Sequence, residues 1–123
     1  SQKYRTRLYE QLKRAKVMMV TCPTAWIDTR RSNMISLSHN SMTPVDEMIP
    51  AGVTVALGTD NVCDAMVPWC SGDMWHELQL LATGCRFDDF ENLVKIASVN
   101  GRKVLGLDPY DSETAPVTAN KKE

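Results

Sequence analysis

One carboxylate in this chain stands where chemistry is usually done. Asp60 follows Gly58-Thr59 and precedes Asn61, directly after the apolar run Val53-Thr54-Val55-Ala56-Leu57. With Gly52 before it and Gly58 after it, that run reads as a short strand buried on both faces, as in a parallel sheet. In barrels and open α/β sheets, ligands and catalytic groups gather at the carboxyl ends of strands. A carboxylate there can carry a proton or bind a metal ion. It can equally form a turn or cap the next element. This stretch alone leaves both roles open.

The elements that must position Asp60 follow an α/β pattern. Residues 4–15 read as an amphipathic helix, with Tyr4, Leu8, Leu12 and Ala15 on one face and Arg5, Arg7, Glu10, Lys13 and Arg14 on the other. Lys13, Arg14 and Lys16 lie near its end, where cations suit the helix dipole. A second apolar strand, 17–21, is stopped by Cys22-Pro23. Residues 25–41 show no periodicity and predict a long loop carrying Trp26, Asp28, Arg30, Arg31 and His39, of a length that is often functional. Thr43-Pro44-Val45-Asp46-Glu47 then opens a short helix, with Thr as cap, Pro at the first position and two acids in the first turn. Gly52 is its expected left-handed stop. A helix again delivers the chain into a strand, 53–57, so the αβ unit is used twice.

Beyond Asp60, residues 61–72 predict a loop broken by Pro68 and Gly72. Asp73 caps a helix through Met74, Leu78, Leu81 and Ala82 that ends at Gly84. Asp88 or Asp89 opens another through Phe90, Leu93, Val94 and Ala97, ending near Asn100-Gly101, and a last helical turn covers 102–105. The division expected is a partial α/β domain over 1–107 and a loose polar tail over 108–123.

With 123 residues there is room for one modest core. A net charge of -1 argues against binding nucleic acid through a basic patch. No apolar run is long enough for a membrane helix, and no signal peptide opens the chain, so a soluble cytoplasmic protein is expected. Cys22, Cys63, Cys70 and Cys85 contain no C-x-x-C pair, which argues against a zinc knuckle or thioredoxin-type site and for reduced thiols. Cys22 is expected to pack as a small hydrophobe.

Other motifs fail on spacing. His76-Glu77-Leu78-Gln79-Leu80 starts like H-E-x-x-H, but Leu80 replaces the second histidine. His76 is better read as a packing or surface residue of its helix. No nucleophile elbow, P-loop or dinucleotide fingerprint appears, nor the H-x-E and P-C-x-x-C of zinc nucleoside deaminases. Arg30-Arg31 reads as a solvated pair before it reads as an anion site. Trp26, Trp69 and Trp75 could line a pocket, with core packing the expected role of Trp75. Asp60 therefore stands without the further ligands that a catalytic metal needs.

Val20-Thr21-Cys22-Pro23-Thr24, His39-Asn40-Ser41, Thr43-Pro44-Val45-Asp46-Glu47-Met48 and Ala51-Gly52-Val53-Thr54-Val55-Ala56-Leu57-Gly58-Thr59-Asp60-Asn61 together resemble the carboxyl-terminal part of the amidohydrolase superfamily, and within it the bacterial cytosine deaminases. Residues 62–68, Gly72-Asp73-Met74 and the run 96–107 extend the likeness in consistent order. The resemblance implies a fragment of a (β/α)8 barrel, with 17–21 as strand seven and 53–57 as strand eight. It implies that Asp60 is both the metal-touching carboxylate and the proton shuttle, with zinc or iron as the metal. Asn61 falls where the deaminases carry a second, substrate-holding acid, and Asp64 and Met66 fall on the pocket rim.

The family's H-x-H pair and its ligands on the middle strands have no counterpart here. A complete barrel of this kind needs about 250 residues. The expectation is a piece of a metal-dependent hydrolase acting on the C–N bonds of cyclic amidines or nucleobases, inactive alone. It would either self-associate as a homo-oligomer or pair with the missing remainder of the barrel. A non-catalytic binding or self-associating module derived from such an enzyme is the alternative. Neither nucleic acid nor membrane is an expected partner.

Overall fold

In parallel sheets the chain must leave one strand, cross over, and return in the same direction. The computed structural model, which describes residues 2–28 and 42–107, shows that arrangement. Strand β1 (Met19–Thr21) pairs in parallel with β2 (Val55–Leu57), matching Met19 with Val55, Val20 with Ala56 and Thr21 with Leu57. Six helices accompany them among the described residues: α1 (Gln2–Arg14), α2 (Pro23–Asp28), α3 (Val45–Met48), α4 (Met74–Cys85), α5 (Phe90–Ala97) and α6 (Val99–Val104). Arg30, Arg31, His39, Asn40, Ser41 and the tail 108–123 lie outside the described residues.

The strands present unlike faces. Met19, Val55 and Leu57 point into the main core with Tyr9, Val45, Val53, Leu81, Leu93 and Ile96, and α4, α5 and α6 pack on β2. Side chains alternate across a sheet, so Val20 and Ala56 lie on the other face, where Val20 is 48% exposed. Gly58 lets the strands' carboxyl ends approach on that side. A Cβ there would sit 2.8 Å from Val20 Cγ1 and 3.2 Å from Cys22 Sγ. Along the ladder, the Thr54 carbonyl and the Gly58 N–H engage β1, which turns the Val55 backbone toward the free edge of β2. Asn100 Nδ2 covers that edge by donating to the Val55 carbonyl at 2.8 Å.

Several expected signals appear as read. Asp73 accepts the Trp75 N–H to cap α4, and Asp89 accepts the Asn92 N–H to cap α5. Gly52 is left-handed at φ 82 after α3, and Gly106 at φ 70 after α6. Other expectations need correction. Residues 23–28 are the helix α2 rather than the start of a loop, because Pro23 occupies a first helical position. Thr43 does not cap α3; its hydroxyl meets that of Thr21 at 2.9 Å, and Pro44 sits at the cap. Helix α4 runs one residue past Gly84, to Cys85, and Arg86 takes the left-handed stop.

On α1 the buried residue is Tyr9, while Tyr4 and Leu8 of the expected stripe are exposed. Tyr9 can enter the core because its hydroxyl finds Glu47 at 3.1 Å. Arg5 grips the same carboxylate in bidentate fashion, Nε to Oε2 at 2.8 Å and Nη2 to Oε1 at 2.7 Å. This pair ties α1 to α3, and Arg5 holds the Glu47 carboxyl below its ordinary 4.5.

Leu81 is wholly buried, so Leu81→Ala should cost about 2–5 kcal/mol in denaturant unfolding. For Glu47, a depressed carboxyl stabilises the fold above its unfolded pKa, and that contribution fades as pH falls through the folded value. The difference in urea midpoint between the native chain and Glu47→Gln should therefore be largest near neutrality and vanish in acid.

Candidate functional site

Parallel pairing places the exits of both strands at one end of the sheet, and the residues with chemical potential gather there. Asp60 leaves β2 three residues after Leu57 in a left-handed conformation, φ 62, which Asp tolerates better than most residues. It is exposed, and its Oδ1 accepts the Asn61 N–H at 2.8 Å. From the exit of β1, Cys22 approaches Asp60. Burial pushes the Cys22 thiol up, and the negative charges of Asp60 and Glu77 add to that.

The loop after Asp60 is held by its own polar groups. Asp64 Oδ1 accepts the N–H groups of Met66 and Val67, both at 2.8 Å, as an Asx turn. The Val67 and Met66 N–H groups, with the Asn61 side chain adding to them, hold the Asp64 carboxyl below its usual range. Asn61, Asp64 and Met66 are thus brought together on one loop, all exposed. Asp64 is committed to shaping that loop, and Met66 offers an apolar face 53% open to solvent.

Glu77 is the functional candidate that sequence reasoning missed. It is 1% exposed, and its Oε2 accepts the Thr24 N–H at 2.8 Å. The Cys70 thiol lies 3.6 Å from its Oε1. One carboxylate of α4 thereby ties the first turn of α2, after β1, to the loop after β2. Beside it, Thr24 Oγ1 is buried with no hydrogen-bond partner. A signal was available in the sequence: Glu77 stands one turn before Leu81, on the buried stripe of α4.

The remaining candidates lie apart from this cluster in role. His76 is on the exposed side of α4. Trp75 does not pack in the core; it is 64% exposed, because the buried stripe of α4 is taken by Glu77 and Leu81. Trp69 is exposed as well, whereas Trp26 packs against the main core. Cys22 packs beside Ala25, Val67 and Cys70. Among the described residues no three His, Cys, Asp or Glu side chains form a group able to hold a metal ion. A single exposed carboxylate, with one oxygen engaged by its own loop, does not fit zinc or iron.

Comparison with known proteins bears on both sequence and fold. No protein-family model matches the chain. An uncharacterized protein of Haemophilus influenzae is 65% identical over 43 residues, covering 35% of this chain and 96% of the relative. The chain belongs to that protein's family. A second uncharacterized protein of the same organism is 52% identical over 50 residues, 41% of this chain and 18% of the relative.

Among solved structures, 5-methylcytosine deaminase from Klebsiella pneumoniae, liganded with 5-fluorocytosine, superposes with a TM-score of 0.71 at 22% identity. The match covers 86% of this chain and 26% of the deaminase chain. The fold is amidohydrolase-like. The chain spans about a quarter of the deaminase and under a fifth of the longer Haemophilus relative. No described helix is long and apolar enough to cross a membrane.

The tie made by Glu77 has a measurable weight. Glu77→Ala leaves the buried Thr24 N–H without an acceptor and should cost about 1–3 kcal/mol in urea unfolding. Glu77→Gln keeps an acceptor oxygen and should lose less.

Proposed function

We propose that this chain is a carboxyl-terminal portion of a deaminase-like barrel, in which residues 60–72 form one wall of a pocket for a cyclic amidine or cytosine-type base. The observation that carries the reading is the fold match to 5-methylcytosine deaminase, together with the position of Asp60 at the carboxyl end of the second of two parallel strands. The reaction is hydrolytic cleavage of an exocyclic C–N bond with release of ammonia. In it Asp60 is the proton carrier, taking a proton at a carboxylate oxygen from the attacking water and returning it to the leaving amine. Asn61 hydrogen-bonds the base, keeping donor and acceptor capacity without a charge. Asp64 shapes the rim, and Met66 lies along the ring.

The described residues do not fit a metal ion. A ligand role for Asp60 with zinc or iron therefore requires donors from beyond them, as does a closed pocket. Turnover belongs to an assembly larger than the described residues, either a longer chain carrying this sequence or a complex with the rest of the barrel. The chain by itself is inert.

A second reading is favoured by the exposed apolar residues at and before β1. Val17, Met18 and Val20 are 44%, 40% and 48% exposed. A non-catalytic module would cover these residues by self-association. Light scattering decides it: a homo-oligomer that Val20→Lys dissociates supports the module, and a monomer at high concentration counts against it.

Ammonia release from cytosine, 5-methylcytosine and 5-fluorocytosine, with added zinc or ferrous ion, tests the enzymatic reading. The isolated chain should show none. A longer protein containing it should turn over, and Asp60→Asn should reduce that turnover by about 10²–10⁴-fold. Activity in the isolated chain, or a longer enzyme indifferent to Asp60→Asn, would overturn it.

A further inference from the structure

Two of the four cysteines are held close together by the backbone of the loop that follows Asp60. The Cys63 N–H donates to the Cys70 carbonyl at 2.9 Å, and the Cys63 thiol reaches the same carbonyl at 3.1 Å. The path from the Cys70 Cα through its carbonyl oxygen to the Cys63 nitrogen and Cα keeps the two Cα atoms within about 7 Å. A disulfide spans about 4.4–6.8 Å. The loop between them is closed a second time, by the Asp64 N–H donating to the Val67 carbonyl at 3.3 Å. Proximity and tether are therefore in place while both thiols are free.

We propose that Cys63 and Cys70 form a reversible oxidative modification site, an intramolecular disulfide that locks the loop 63–70 beside Asp60. The two thiols divide the chemistry between them. Cys63 is exposed and meets the oxidant, a hydroperoxide. Its sulfur bonds to the terminal peroxide oxygen as the O–O bond breaks, and the departing oxygen takes up the thiol proton. The products are a sulfenic acid on Cys63 and water, or an alcohol from an organic hydroperoxide.

Cys70 is fully buried and closed to the oxidant, and burial keeps it a thiol. Its sulfur attacks the Cys63 sulfenic sulfur. The S–S bond forms, the S–O bond breaks, and the departing hydroxide takes the thiol proton as a second water. Glu77 Oε1, 3.6 Å from Cys70 Sγ, is the group placed to take that proton first. Two thiols lose two electrons and one peroxide gains them.

Bond formation draws Cys70 Sγ away from Glu77 and from the Thr59 carbonyl, which it meets at 3.4 Å in the reduced state. The redox state of the pair is thereby coupled to the backbone beside Asp60. The site stands on loop geometry and thiol exposure alone, whatever the chain's catalytic role.

The full chain is treated with hydrogen peroxide, unreacted thiols are blocked, and the protein is cut before aspartates. Cleavage at Asp60, Asp64 and Asp73 puts Cys63 on the fragment 60–63 and Cys70 on 64–72, with Cys22 and Cys85 on others. The expected product is the pair 60–63 joined to 64–72, from a protein still monomeric on a non-reducing gel. It should be released by dithiothreitol, absent from Cys63→Ser, and formed at least tenfold more slowly in urea. Cys63 carried to sulfinic acid with Cys70 blocked as a free thiol would overturn the proposal. So would Cys70 joined to Cys22, or a covalent dimer. The native chain carries the main readout, so a Cys70→Ser variant that fails to fold leaves the outcome intact.

Discussion

The parallel register of β1 and β2 is the constraint on which everything else rests. Pairing Met19 with Val55 and Thr21 with Leu57 obliges both strands to end at the same edge. Cys22 and Asp60 then become neighbours although 38 positions separate them. An antiparallel pair would have sent the two exits to opposite ends. A parallel pair of three residues each is too short to stand alone. Its stability comes from Leu81 of α4 and Leu93 and Ile96 of α5 in the core it faces and from Asn100 of α6 on the free edge of β2. The helices thus serve the site indirectly, by making so short a ladder worth forming.

Glu77 is the second level of control. A carboxylate is rarely taken out of water unless its lone pairs find donors. Here one oxygen takes a backbone N–H at the start of α2 and the other faces a thiol from the loop after β2. Helix α2 is only six residues long, short enough to need an outside partner for its first turn. The same group therefore fixes where the chain goes after each strand. Three elements meet at one side chain, and the carboxyl-end face of the sheet acquires a definite shape.

How much of this was legible in the sequence depends on the range of the force involved. Capping acts over two or three residues, and the roles of Asp73 and Asp89 followed from local pattern, as did the left-handed Gly52. The buried strand before Asp60 could be read from its apolar run and flanking glycines. The misread features were decided by distant partners. Tyr9 displaced Leu8 from the buried face because Glu47 waited for its hydroxyl. Thr43 gave up its cap to meet Thr21. Helix α2 is too short to show a period, and Pro23 signals a strand stop as readily as a helix start. Trp75 read as core because its bulk is apolar, but burial on α4 went to Glu77, whose value lies in two contacts from other elements.

The loop beyond Asp60 shows how a site can be prepared in parts. Asp64 binds two N–H groups of its own loop, Cys63 and Cys70 share a backbone bond, and Asn61 leans on Asp64. None of these contacts needs the rest of the molecule once the loop has left β2. Asp60 differs. It sits at positive φ, a conformation that Asp tolerates better than most residues and that its surroundings select. Here they consist of the end of the ladder before it and the self-closed loop after it. Such a position aims a carboxylate without occupying it: one oxygen receives its neighbour's N–H and the side chain stays in solvent. An exposed acid fixed at the exit of a buried strand is the physical reason to look for a proton acceptor there.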